Sequence, residues 1–148
     1  MRPIRALAYF WALPTTMLGL PLVAAAAAKD GSVRIVSGVL EVHGPLVAAA
    51  LTHLVPLPGG AAAITFGHIV AAQDAAAMEM TRRHERVHVR QCERWGPLFV
   101  PAYLIASAIG WARGSGAYRG NCFERQAYDE CSAVVGRSGF TATLGSRG

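Results

Sequence analysis

Residues 73–95 read QDAAAMEMTRRHERVHVRQCERW, and the way this stretch folds decides what the rest of the chain can be. Residues 73–83 are rich in good helix formers and lead helically into His84-Glu85-Arg86-Val87-His88, an H-E-x-x-H motif. Steps of about 100° per residue put His84, Val87, His88, Gln91, Cys92 and Trp95 on one side of a helix. Arg82, Arg83, Arg86, Arg90, Glu93 and Arg94 fall on the other side, with Glu85 at the border. Two imidazoles four residues apart share a face and can reach one ion, while the adjacent carboxylate can hold a water against it. Zinc in that position lowers the pKa of the water, and Glu85 is the candidate base that takes its proton. The competing reading is a basic amphipathic helix with two packed core histidines.

A catalytic zinc site has three protein ligands and an open position, so a third donor is needed. Cys92 lies about 12 Å along a straight helix from His84 and cannot share an ion with it. His43, His53 and His68 remain open as donors, as does Glu124. Glu124 lies in NCFERQAYDE, residues 121–130, which reads as a helix opened by an Asn cap, with Phe123, Ala127 and Tyr128 available for packing.

An H-E-x-x-H helix followed by a second helix with an E-x-x-A pattern resembles the gluzincin branch of the zincin metallopeptidases. The resemblance implies His84, His88 and Glu124 as metal ligands and Glu85 as base, with Zn2+ as cofactor. Gln91, Tyr128 and Asp129 are then candidates for the outer hydrogen-bonding shell. The run HERVHVRQCERWGPLFVPAY with the later FERQAY is also similar to small uncharacterised bacterial membrane proteins with an H-E-x-x-H-x-x-Q core. That likeness covers roughly residues 33–130, whereas the likeness to zincins in general covers the two helices.

Upstream, AITFGHIV, residues 63–70, is β-branched and apolar and reads as a strand. Zincins keep an edge strand beside the active-site helix, and by analogy this segment is the candidate for it. SVRIVSGVLEVH, residues 32–43, breaks at Ser37-Gly38 and reads as a hairpin or bent strand, so a small mixed sheet is expected. Pro56, Pro58, Gly59 and Gly60 mark a loop between the two strand regions.

A length of 148 residues fits one domain, and 53% hydrophobic residues is more apolar than an ordinary soluble chain. Residues 7–28, LAYFWALPTTMLGLPLVAAAAA, are uncharged after Arg2 and Arg5 and would extend about 33 Å as one helix, enough to span a bilayer. They read as a retained anchor in preference to a signal peptide, although Pro14 and Pro21 each favour a kink. A second apolar run, residues 96–112, lies at the short limit for a span. If it crossed the membrane, Glu124 and the histidines would end on opposite sides, so a non-spanning helix is expected. Trp95, Tyr103 and Trp111 read as interfacial aromatics.

The net charge of +5 comes almost wholly from Arg and is densest on the outer face of the motif helix, a face suited to anionic head groups. No nucleic-acid module is visible. Three cysteines, Cys92, Cys122 and Cys131, form no C-x-x-C pair and read as small buried residues or free thiols.

The sequence thus leads to an α+β fold, a minimal zincin-like domain over residues 31–132. An N-terminal transmembrane helix within 1–30 precedes it, and a flexible tail over 133–148 follows. The expected function is zinc-dependent peptide hydrolysis at a bacterial inner membrane with unresolved sidedness, the partners being membrane lipids and a protein or peptide substrate. The alternative is a non-catalytic membrane protein with a structural metal site or none.

Overall fold

The computed structural model describes residues 3–57 and 59–144, with side chains described for 6–57 and 59–133. The chain divides into two compact units, Met1–Ala102 and Tyr103–Gly148, and the division falls inside a helix.

The first unit is built around a four-stranded mixed sheet of order β1-β2-β4-β3, with β1 at Ser32–Val36, β2 at Val39–His43, β3 at Ala63–Phe66 and β4 at Ile69–Ala72. β1 and β2 form the expected hairpin, turning at Ser37 and Gly38, both with positive φ as a two-residue turn of this kind requires. The segment 63–70, expected as one strand, is instead part of a second hairpin. Gly67, at φ +58°, opens a two-residue turn that sends the chain back antiparallel as β4. The hairpins join through a parallel β2–β4 pairing, which needs a crossover. Helix α3, Pro45–Leu54, supplies it in a region whose composition had suggested only a loop near its end.

Alternation along β2 and β4 assigns the two faces. Val42, Ile69 and Ala71 pack with Ala26 of α2 (Leu20–Ala28) and with Val47 and Leu51 of α3. Val39, Val70 and Ala72 pack with Met78 and Val89 of α4, Ala75–Trp95. Buried on both faces, β4 reads as a continuous apolar run and hides its own turn. The Asp74 side chain caps α4 by accepting a 2.7 Å hydrogen bond from the Ala77 N–H, and Gly96 ends it at φ +56°.

Residues 7–28 do not form one straight helix. They lie in α1, Pro3–Leu18, and α2, bent by 61° about Gly19, and α1 packs on α4 and on the 3-10 turn Gly96–Leu98 that follows it. Gly19 and Pro21 together interrupt the helical hydrogen bonding there. Among the described residues, Ala75–Ala112 is an unbroken helical stretch long and apolar enough to cross a membrane by length and composition, and the bent pair Ala6–Leu18 and Leu20–Ala28 meets the same measure when taken together.

Helix α5, Phe99–Ala112, continues into the second unit, which is completed by α6, Cys122–Leu144. Gly110 and Gly120 bring the chain segments within backbone contact, where a side chain would clash. Asn121 caps α6 as expected: its Oδ1 accepts from the Phe123 N–H at 2.9 Å. Its amide also donates to the Tyr103 carbonyl at 3.1 Å and to Ser107 Oγ at 2.8 Å, tying α6 to α5. Residues 133–144, expected to begin a loose tail, continue α6 as helix, and 145–148 lie outside the described residues.

Candidate metal and base site

The motif histidines lie on a side of α4 separate from the sheet-facing side, which carries Met78 and Val89. Val87 and His88 are buried and His84 is half-buried, as the helical register requires. Their Nε2 atoms stand 3.0 Å apart, with the rings edge to face. Two nitrogens bound at about 2.0–2.1 Å to one tetrahedral zinc would be separated by roughly 3.3 Å, so this spacing fits a shared ion after a shift of a few tenths of an ångström.

His88 is oriented from behind. Gln91, one turn further along α4 and also buried, presents Oε1 to His88 Nδ1 at 2.8 Å. An amide oxygen only accepts, so Nδ1 carries the proton and Nε2 keeps its lone pair for a metal. Phe99 packs obliquely on the same ring at 6.3 Å between centroids.

Glu85, at the border of the helical wheel, is 5% exposed. The hydroxyl of Thr65, on edge strand β3, donates to Glu85 Oε2 at 2.7 Å. β3, the first half of the segment expected as a single strand, is an edge of the sheet beside α4 and holds the Glu85 carboxylate. Sequence reasoning missed Thr65 because a Thr in a β-branched run carries no signal beyond strand propensity.

The flank of α4 expected to suit anionic head groups turns in part to the sheet. Glu41, 4% exposed on β2, accepts from Arg82 Nε and Nη2 at 3.0 Å and from Arg86 Nη2 at 2.8 Å, and Arg86 also donates to the Val36 carbonyl. Burial alone would raise the Glu41 pKa, but the hydrogen bonds and charges of Arg82 and Arg86 outweigh it and hold the carboxyl below its ordinary value. Arg83, Arg90 and Arg94 remain exposed.

His68 lies in the β3–β4 turn, where its Nε2 meets Glu93 Oε1 at 3.0 Å and its ring stacks on Tyr9. His53 is exposed on α3, and His43 ends β2. None of these three histidines belongs to a group of potential ligands among the described residues. Cys92 is fully buried, and burial pushes its thiol up to about 12. Cys122 is exposed and Cys131 half-buried.

In the second unit Glu124 is 3% exposed. Tyr103, expected as an interfacial aromatic, instead donates its hydroxyl to Glu124 Oε1 at 2.6 Å. Burial pushes the Tyr118 phenol up, reinforced by its contacts with Tyr128 and Glu124. Tyr128 and Asp129 are exposed and line a cleft with Tyr118, Glu124 and Arg125. Tyr118 sits in a Gly-rich loop that offered no motif. With Glu124, the imidazoles of His84 and His88 make a group that could hold a metal ion.

Compared with family models, with curated proteins and with solved structures, the chain finds no match, and its function is read from these residues.

Proposed function

We propose that the protein is a membrane-associated, zincin-like metallohydrolase in which His84, His88 and Glu124 hold one zinc ion and Glu85 is the base in peptide-bond hydrolysis. The observation that carries the reading is the 3.0 Å spacing of the His84 and His88 Nε2 atoms beside a buried, hydroxyl-held glutamate. Two imidazoles and a carboxylate are the donor set zinc takes in hydrolases of this kind. Bound zinc would supply a water of lowered pKa and a positive charge to polarise the scissile carbonyl.

The chain's own residues do the rest. Gln91 fixes the tautomer of His88, and Tyr103 orients Glu124. Thr65 holds one oxygen of Glu85, so the carboxylate is aimed before substrate arrives. Glu85 takes the proton of the attacking water and passes it to the leaving amine. Membrane association rests on the apolar residues exposed on α1 and α5, among them Phe10, Leu13, Leu104 and Trp111.

Elemental analysis of full-length, detergent-purified protein after dialysis, paired with a peptide-hydrolysis screen, tests the proposal. The native protein should hold about one zinc per chain. Glu85→Gln should keep the zinc and abolish hydrolysis. A native protein without metal would overturn the reading, and metal with no hydrolysis in either form would leave a structural site.

A further inference from the structure

We propose that α1 is shared between the domain and the bilayer, with its polar edge seated on three turns of the first unit and its apolar outer face lying in lipid. This goes beyond the membrane reading above, on which it rests. A spanning anchor leads away from its domain and a signal peptide is removed, whereas this helix is a component of the fold.

The inner edge of α1 is specific. Tyr9 donates its hydroxyl to the Gly38 carbonyl at 2.5 Å, and Thr15, 2% exposed, donates to the Gly96 carbonyl at 2.9 Å. Thr16 accepts from the His68 N–H at 3.1 Å. Each contact meets a glycine turn with no room for a side chain. A Cβ would stand 2.2 Å from the Tyr9 hydroxyl at Gly38, 2.1 Å from Thr16 Oγ1 at Gly67 and 2.4 Å from the Trp11 ring at Gly96. Ala12 and Gly19 complete a small-residue edge that lets backbones approach.

The polarity of the helix is inverted. A surface helix of a soluble domain turns its hydroxyls to water and its large apolar side chains inward. Here the hydroxyls of Tyr9, Thr15 and Thr16 all bond to protein, while Leu7, Phe10, Leu13, Met17 and Leu18 point outward, Phe10 with 74% of its surface exposed. Hydroxyls spent on helix contacts and an outer face without hydrogen-bonding groups are what hydrocarbon demands. Charge complements this: residues 6–28 carry none, and in sequence they are bounded by Arg2, Arg5 and Lys29, cations of the kind that attract lipid phosphates. The 16 residues of α1 extend about 24 Å, short of a bilayer core of about 30 Å, and α2, bent away by 61°, packs Leu22, Val23 and Ala26 into the core of the first unit. A helix of this length, pinned along one side, lies in one leaflet.

The test uses spin labels at Leu13→Cys and Met17→Cys in the full chain, with Cys122→Ser and Cys131→Ser, reconstituted in vesicles of phosphatidylcholine and phosphatidylglycerol. Label accessibility to dissolved oxygen should exceed accessibility to a water-soluble nickel chelate roughly severalfold. Mass spectrometry of protein from native membranes should also find residues 1–28 attached. A vesicle-bound protein whose labels favour the nickel chelate would overturn this placement and leave membrane association to another segment. Labels inaccessible to both probes would overturn it in favour of a protein partner or a second copy. Protein that neither enters vesicles nor fractionates with membranes would overturn both this inference and the membrane reading, and removal of residues 1–28 in cells would overturn the retained helix.

Discussion

Glu85 and Glu41 are both buried carboxylates beside α4, yet they are held in different ways. Glu41 lies beneath two guanidinium groups, and Glu85 meets the hydroxyl of Thr65. Clamping by two cations favours the charged form and leaves a poor base, whereas the Thr65 hydroxyl orients the Glu85 carboxylate. One helix thus sets a carboxylate that fastens the sheet apart from the one proposed to move a proton.

The comparison breaks most sharply at the metal. His88→Ala should reduce bound zinc from about one equivalent to below roughly a tenth, with His84→Ala and Glu124→Ala doing the same, as measured by elemental analysis. Glu41→Gln should leave the zinc in place. If Glu41→Gln removes zinc while the protein stays folded, the division between the two flanks is wrong.

Next in size is the cost of opening the Glu41 cluster. Glu41→Leu should destabilise the protein by about 2–3 kcal/mol in chemical unfolding, less than a fully buried pair would cost because Arg82 and Arg86 keep some contact with solvent. The sign with pH follows from the lowered pKa. The folded-state carboxyl titrates below its ordinary value of 4.5, so its stabilisation is complete above that value and is lost as pH falls through the folded pKa. Glu41→Gln should flatten this acid branch of the stability profile.

Smaller effects sharpen the other flank. Gln91→Leu should weaken zinc binding by about 10–100-fold in a competition titration, with Gln91→Glu restoring much of it by keeping an acceptor on His88 Nδ1. Thr65→Val should lower kcat by about tenfold with zinc content unchanged, and Thr65→Ser should recover it, because the hydroxyl and not the strand side chain aims Glu85. An equal loss in Thr65→Ser would reduce Thr65 to packing.

The legible parts of this molecule were those with local signals. The break at Ser37-Gly38 announced the first hairpin, the helical register announced the buried face of α4, and Asn121 announced the start of α6. The second hairpin was hidden because Ile69–Ala72 is buried on both faces, which erases the alternation that would have marked a turn at Gly67. Arg82 and Arg86 looked solvated because their partner, Glu41, lies on a strand 41 and 45 residues away in sequence, a separation no helical wheel can cross. The bend at Gly19 was foreshadowed by Pro21, but the seats that receive α1 are tertiary. His84, His88, Glu85 and Glu124 were read from spacing and resemblance, whereas Thr65 and Tyr103, which orient two of them, had no motif to declare them.

The bond from Thr15 to Gly96 closes a separation of 81 residues, and this sets a clock on synthesis. At about 5–20 residues per second, α1 leaves the ribosome roughly 4–16 s before its last seat has been made. Through that interval the hydroxyl edge of α1 is only partly seated, and the Thr15 hydroxyl lacks its final acceptor until the third turn arrives.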